Sequence, residues 1–227
     1  MHRYNIFIQV HKGLRAMLYQ TAEMLQQTDF NNTSESDRAL DQVLEVLDLF
    51  DKHAESEDNF IMPAIEKCEP GITAPFKKEH EEDYALSSKL RVLLNIFYYT
   101  TSACEKNVLG TEIHIAFVEF LVFNLKHMAG EELLLNNCLC RYYTDGQLGV
   151  IMKKIMGQMK PELVHQYRQW MMVGLNNNEI IQWLKDVRSS APDFVFEGLV
   201  TLAEGQLPRQ RWEIVRSALL EQARMAS

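Results

Sequence analysis

The 227-residue chain has only four cysteines, Cys68, Cys104, Cys138 and Cys140, and no Cys-x-x-Cys pair. That argues against a disulfide-stapled scaffold, a zinc ribbon and a dithiol redox motif, and leaves reduced core or surface thiols. Long uncharged runs are missing too: "AFVEFLVFNL" meets charge well before the ~18 apolar residues of a membrane span. The N-terminus "MHRYNIFIQVHKG" has no signal-peptide cleavage pattern. A soluble, cytoplasmic protein is the expectation, with no membrane partner. Lysine and arginine number 23 against 31 acidic residues, a net charge of −8. No basic footprint is present, so nucleic acid is not expected as a partner. Alternating β-branched runs are also scarce, which removes sheet architectures and points to an all-α fold.

What is present is ample apolar material, 47% of the residues, in segments of period near 3.6. Residues 1–144 carry 13 basic and 22 acidic side chains, whereas 145–227 carry 10 and 9. All three tryptophans, Trp170, Trp183 and Trp212, fall in the second part, so "YYTDGQLG" reads as a boundary between 1–144 and 145–227.

Four long helices are expected in the first part. The first, about 4–28, lines up Phe7, His11, Leu14, Leu18 and Leu25. The second, about 35–67, begins with a Ser34–Asp37 capping box and lines up Leu40, Val43, Leu47, Phe50, His53, Glu57 and Ile61. The third follows the stop "EPGITAP" and lines up Phe76, His80, Asp83, Leu90 and Phe97. The fourth, about 111–142, lines up Ile113, Phe117, Phe120, His127, Glu131, Leu134 and Cys138. Short connections make this an up-down antiparallel four-helix bundle. The remainder reads as a smaller bundle of short helices, with Pro161, Pro192 and Pro208 at helix starts.

Each long helix interrupts its apolar stripe with a histidine, and the second and fourth add a glutamate four residues on, along the same face. In antiparallel neighbours, residues at one height are equidistant from the turn between them. The pair His53/Glu57 centres on 55; its midpoint with His11 is 33, inside "NNTS", and with His80 it is 67.5, beside "CEPG". The pair His127/Glu131 centres on 129, and its midpoint with His80 is 104.5, at the start of the expected connection "CEKNVLG". The six side chains therefore meet at one level. Partnerless buried imidazoles and carboxylates cost several kcal/mol, so six of them require a partner.

Four imidazoles and two carboxylates exceed the needs of a tetrahedral zinc. They suit two five- or six-coordinate ions bridged by both glutamates and a solvent oxygen. Mixed nitrogen and oxygen ligation without thiolate favours iron, with manganese or zinc as substitutes. His2, His114 and His165 fit no such geometry, and Glu162/His165 is a lone Glu-x-x-His.

At "QVHKGL", "HAESEDNFIMP", "KKEHEEDY" and "HMAGEELLL" the chain resembles the hemerythrin-like, or HHE, family, over about residues 5–142. The resemblance implies a non-haem diiron bundle in which His11 and His53 hold one iron, His80 and His127 the other, and Glu57 and Glu131 bridge. It implies O2, NO or peroxide as small ligand, or iron held for sensing or iron-centre repair. The chain departs from the oxygen carriers, which have a second histidine one turn from His80, where Phe76 and Tyr84 stand. Their carboxylate spacing would select Glu132; the spacing of the repair branch selects Glu131, which shares the stripe with His127. Tyr84 is expected to approach the ligand on the His80-bound ion. The tail resembles the C-terminal extensions of some bacterial members and is expected to dock a protein partner. The competing reading is a helical interaction protein with a purely structural metal.

Overall fold

Asn32, rather than Ser34, opens the second long helix. Its side-chain oxygen accepts from the backbone N–H groups of Ser34 and Glu35, and its amide donates to Glu35. The expected Ser34–Asp37 box gives way to an Asn32–Glu35 pair because asparagine, from two residues further back, already satisfies the first free N–H groups. The computed structural model describes residues 3–225 and contains no strand among them. Four antiparallel rods form the bundle. They are α1 (Ile8–Gln27); α2 (Thr33–Ser56), continued through a π-helical stretch (Glu57–Ile61) into α3 (Met62–Glu66); α4 (Ala74–Tyr99); and α5 (Ala103–Gly130), continued through a second π-helical stretch (Glu131–Leu135) into α6 (Asn136–Tyr142).

The fourth rod starts eight residues before the sequence suggests. Ser102 caps it by accepting from the Glu105 N–H, so "CEKNVLG" is helix rather than connection. Gly110, the last residue of that stretch, is inside the helix, where the Phe30 ring lies so close that any Cβ would collide with it. Its role is close approach. This rod is also more apolar than the sequence reading allowed: within Ala103–Tyr142 an 18-residue window reaches a mean hydropathy of 1.6, enough by length and composition to cross a membrane. Its inner face is buried in the bundle, while Val108, Ile115, Val118 and Val122 remain exposed.

Leu134 was expected on the inner stripe but is 55% exposed, and Leu135 is buried instead. The π-helical stretch inserts one extra residue per turn there and advances the stripe by one position. Beyond it, Cys138 and Leu139 face inward as expected for Cys138.

Two apolar clusters fill the bundle. The larger joins Leu14, Leu18, Leu47, Phe50, Phe97, Phe117 and Phe120; the other joins Ile6, Phe7, Ile61, Met62, Phe76, Leu135 and Leu139. The chain level between them carries His11, His53, Glu57, His80, His127 and Glu131, all buried.

The tail supplies α7 (Asp145–Gln158), α8 (Pro161–Gly174), α9 (Asn177–Ser190), α10 (Asp193–Gln206) and α11 (Arg209–Met225). Packing crosses the division near residue 144. Leu148 and Ile155 of α7 join the cluster of Phe7. Tyr167 of α8 is buried in the larger cluster and donates its O–H to the Leu49 carbonyl at 2.6 Å. Helices α1 and α8 touch through Gly13 and Gly174, where a Cβ on either would strike the partner's backbone. Helices α9–α11 wrap a third cluster around Met172, Ile180, Leu184 and Leu199, flanked by half-buried Trp183 and Trp212. Trp170 instead packs on the bundle core and donates to Glu45.

Candidate metal centre

Helix periodicity within each rod and the packing of the four rods put the six polar side chains together. His53 and Glu57 are four apart on one rod, His127 and Glu131 on another, and each π-helical stretch begins at the glutamate. The ladder then changes step: Met62 N–H bonds the Glu57 carbonyl and Asn136 N–H the Glu131 carbonyl, each five residues back. Pro63 cannot be the general cause, because the second stretch contains no proline. What the two share is a buried glutamate aimed at the bundle axis, a position at which π-bulges recur in functional sites.

The imidazoles form two pairs. His11 Nε2 is 3.0 Å from His53 Nε2, and His80 Nε2 is 3.1 Å from His127 Nε2. Each glutamate spans both pairs. Glu57 Oε1 stands 3.2 Å from His53 Nε2 and 3.7 Å from His11 Nε2, while Glu57 Oε2 is 3.4 Å from His80 Nε2. Glu131 Oε2 stands 3.5 Å from His11 Nε2, while Glu131 Oε1 is 3.3 Å from His127 Nε2 and 3.9 Å from His80 Nε2. None of the four carboxylate oxygens has a hydrogen-bond partner. Two four-membered donor sets result: His11, His53, Glu57 and Glu131 in one, Glu57, His80, His127 and Glu131 in the other.

These residues fit a pair of cations. Two imidazole nitrogens held at right angles about 2.1 Å from one ion would lie ~3 Å apart, the spacing in both pairs. Buried carboxylate oxygens left without donors are what an oxygen-binding cation satisfies.

Electrostatics mark the same groups. Burial and the adjacent Glu131 push Glu57 well above the usual carboxylate range. Burial would raise Glu131 too, but the charge of His127 at 3.3 Å, with that of His11 and His53, pulls it down to about 2. Burial lowers His127, yet Glu131 and Glu79 outweigh it and raise the ring to about 9. Burial and the other three imidazoles hold His53 well below its ordinary 6.5, against the opposing charge of Glu131.

Around the six stands a ring of acids that the inner stripe did not reveal. Glu132 Oε1 bonds His11 Nδ1 at 3.0 Å and Arg15 at 2.7 Å. Asp58 bonds His80 Nδ1 at 2.9 Å, and Glu79 bonds His127 Nδ1 at 2.8 Å. Such carboxylates fix which nitrogen carries the proton and aim the other at the centre. Each sits one residue from a candidate ligand, and that adjacency in "SED", "KEH" and "GEE" was the available signal. One step along a helix turns a side chain about 100° toward the neighbouring rod. Glu132 therefore supports His11 from outside, and Glu131 is the one that spans the two pairs.

Tyr84 is not part of the cluster. Its hydroxyl donates to the Asp51 carbonyl at 3.4 Å, and the residue is 38% exposed. Four residues on from His80 it is turned to the α2 side of the rod, whereas Asp83 points inward and accepts from the Asn124 amide at 2.6 Å. Burial lifts Asp83 to about 6 even with that bond. His165 and Glu162 are exposed, His114 is half-buried outside both donor sets, and His2 lies outside the described residues.

Comparison with curated proteins gives no match. Comparison with protein-family models matches residues 2–139 to the hemerythrin HHE cation binding domain. That span holds all six inward-facing residues and more than half of the chain, so this protein belongs to the hemerythrin HHE cation-binding family.

Proposed function

We propose that the chain binds two iron ions and acts as a non-haem diiron protein toward a diatomic ligand, O2 or NO, or peroxide. In this reading His11 and His53 hold one ion, His80 and His127 the other, and Glu57 and Glu131 give one oxygen to each. The observation that carries it is the division of the four orphaned carboxylate oxygens between two histidine pairs. Manganese or zinc would occupy the same donors, since nitrogen and oxygen ligands do not by themselves reject them.

When bound, the iron pair supplies electrons and Lewis acidity to the small ligand. The chain's own residues do the rest. Glu132, Asp58 and Glu79 hold three imidazoles in the tautomer that presents Nε2 inward. Phe7 packs on His11, and Phe76 and Phe123 pack on His127, with ring centroids 5.4, 6.1 and 6.2 Å away. These apolar walls exclude water and favour a small uncharged ligand over a polar one. With Tyr84 turned away, the nearest buried acid outside the six is Asp83, three residues from His80.

Stopped-flow mixing of the anaerobic ferrous protein with O2 and with NO tests the proposal. Rapid spectral changes with both, and oxidation by O2 without a long-lived oxygenated form, are expected. A protein that binds metal but responds to neither gas would leave the structural-metal reading.

A further inference from the structure

The centre is built twice, and the halves are unequal. A pseudo-twofold exchange of α1 with α4 and α2 with α5 carries His11 onto His80, His53 onto His127, Glu57 onto Glu131 and Asp58 onto Glu132. Distances obey it: the nitrogen pairs stand at 3.0 and 3.1 Å, and the Nδ1 bonds of His11 and His80 to Glu132 and Asp58 are 3.0 and 2.9 Å. One contact does not. Glu79, the residue before His80, bonds His127 Nδ1 at 2.8 Å. Its counterpart is the residue before His11, which is Val10, half-buried against the larger core cluster. Among the described residues no side chain bonds His53 Nδ1. A second difference runs the same way: Arg15 shares the Glu132 oxygen that supports His11, whereas neither lysine nor arginine pairs with Asp58 among the described residues.

From these two asymmetries we infer that the cation positions differ in strength, and that a divalent first-row ion is held more tightly between His80 and His127 than between His11 and His53. The inference rests on the proposed two-ion site. A carboxylate on Nδ1 fixes the ring before the ion arrives, raises the basicity of Nε2 and offsets part of the ion's charge; removing one costs about 10–100-fold in affinity. The His80/His127 half has two such supports. The other half has one, and an arginine competes for it. The ion beside His53 is therefore the one that enters last, leaves first and exchanges with solvent.

Anaerobic titration of metal-free protein with Mn(II), and separately with Fe(II), against a competing chelator measures this. Glu79 also favours a proton on His127, so mildly alkaline buffer is used to free that imidazole for ligation. Wild type should take up two ions in two resolved steps about 10–100-fold apart. His11→Ala should retain the tighter step and His80→Ala only the weaker. Glu79→Gln should draw the tighter step toward the weaker, and Val10→Glu should strengthen the weaker. If the Val10 variant does not fold, the half-exposed Glu79 variant still decides. Uptake of both ions with one constant, or a Glu79→Gln titration identical to wild type, overturns the inference while leaving the two-ion site intact; no uptake at all would instead defeat the proposed function.

Discussion

Glu57→Met should stabilise the metal-free protein and abolish its response to metal. Glu57 is 1% exposed, both its oxygens lack hydrogen-bond partners, and burial with Glu131 nearby keeps its carboxyl well above the ordinary range. An unmade hydrogen bond on a buried polar atom costs about 1–3 kcal/mol. For a chain of this length each kcal/mol moves Tm by about 2–4 °C, so the metal-free variant should melt roughly 2–12 °C higher. Wild type, in contrast, should gain about 2.7 kcal/mol from each of its two ions at a hundred times the Kd, about 5.4 kcal/mol for the pair. The order of stability therefore reverses when metal is added. Calorimetry of both proteins, with and without metal, reads the four values. A metal-free variant melting below metal-free wild type would refute the reasoning, because it would mean that the Glu57 oxygens already have partners.

The pH dependence of the metal-free protein follows from the same groups. His127, raised from 6.5 to about 9, contributes about 3 kcal/mol that is complete below 6.5 and lost as pH rises toward 9. Glu131, lowered from 4.5 to about 2, contributes stability present above 4.5 and lost as pH falls toward 2. Denaturant midpoints across this range should peak between the two flanks, and a flat alkaline side would contradict the His127–Glu131 pairing. Glu132→Gln should weaken metal binding about 10–100-fold without abolishing it, since it supports His11 rather than spanning the pair; isothermal titration measures the change. A chain ending at Thr144 keeps all six site residues and should still bind metal. It should melt lower than the full chain, having lost the Tyr167 bond to Leu49 and the burial of Leu148 and Ile155; equal melting points would show that this packing adds nothing.

The level of the six side chains was legible because a histidine cannot continue an apolar stripe without a reason, and because antiparallel geometry ties height to distance from a turn. Leu134 shows where periodicity is indecisive: the positions three and four beyond Glu131 both lie near the stripe at period 3.6, and the π-helical turn settles it on Leu135. The position of Tyr84 was hidden for a related reason. Spacing says which residues lie one turn away, but the neighbour that captures a hydroxyl, here the Asp51 carbonyl, is decided between helices. Asn32 illustrates competition among nearby cap residues, where the one with free N–H groups in reach wins. The supports Asp58 and Glu79 were hidden among ordinary surface acids, distinguishable only by sitting beside a candidate ligand, whereas Glu132 stood out by its spacing from His127, as a rival of Glu131 rather than as a support. The close contact of α1 with α8 depends on Gly13 and Gly174, residues whose meaning appears only when their partner is in place.

In the proposed site two histidine pairs and two shared glutamates would hold a pair of iron ions. Iron content per chain, measured by inductively coupled plasma spectrometry on protein reconstituted anaerobically with Fe(II) and freed of loose metal, tests it most directly. Wild type should hold two irons, and Glu57→Ala/Glu131→Ala, provided it keeps its helical spectrum, should hold none, because each glutamate serves both ions. Two irons retained in a folded double variant would contradict the account.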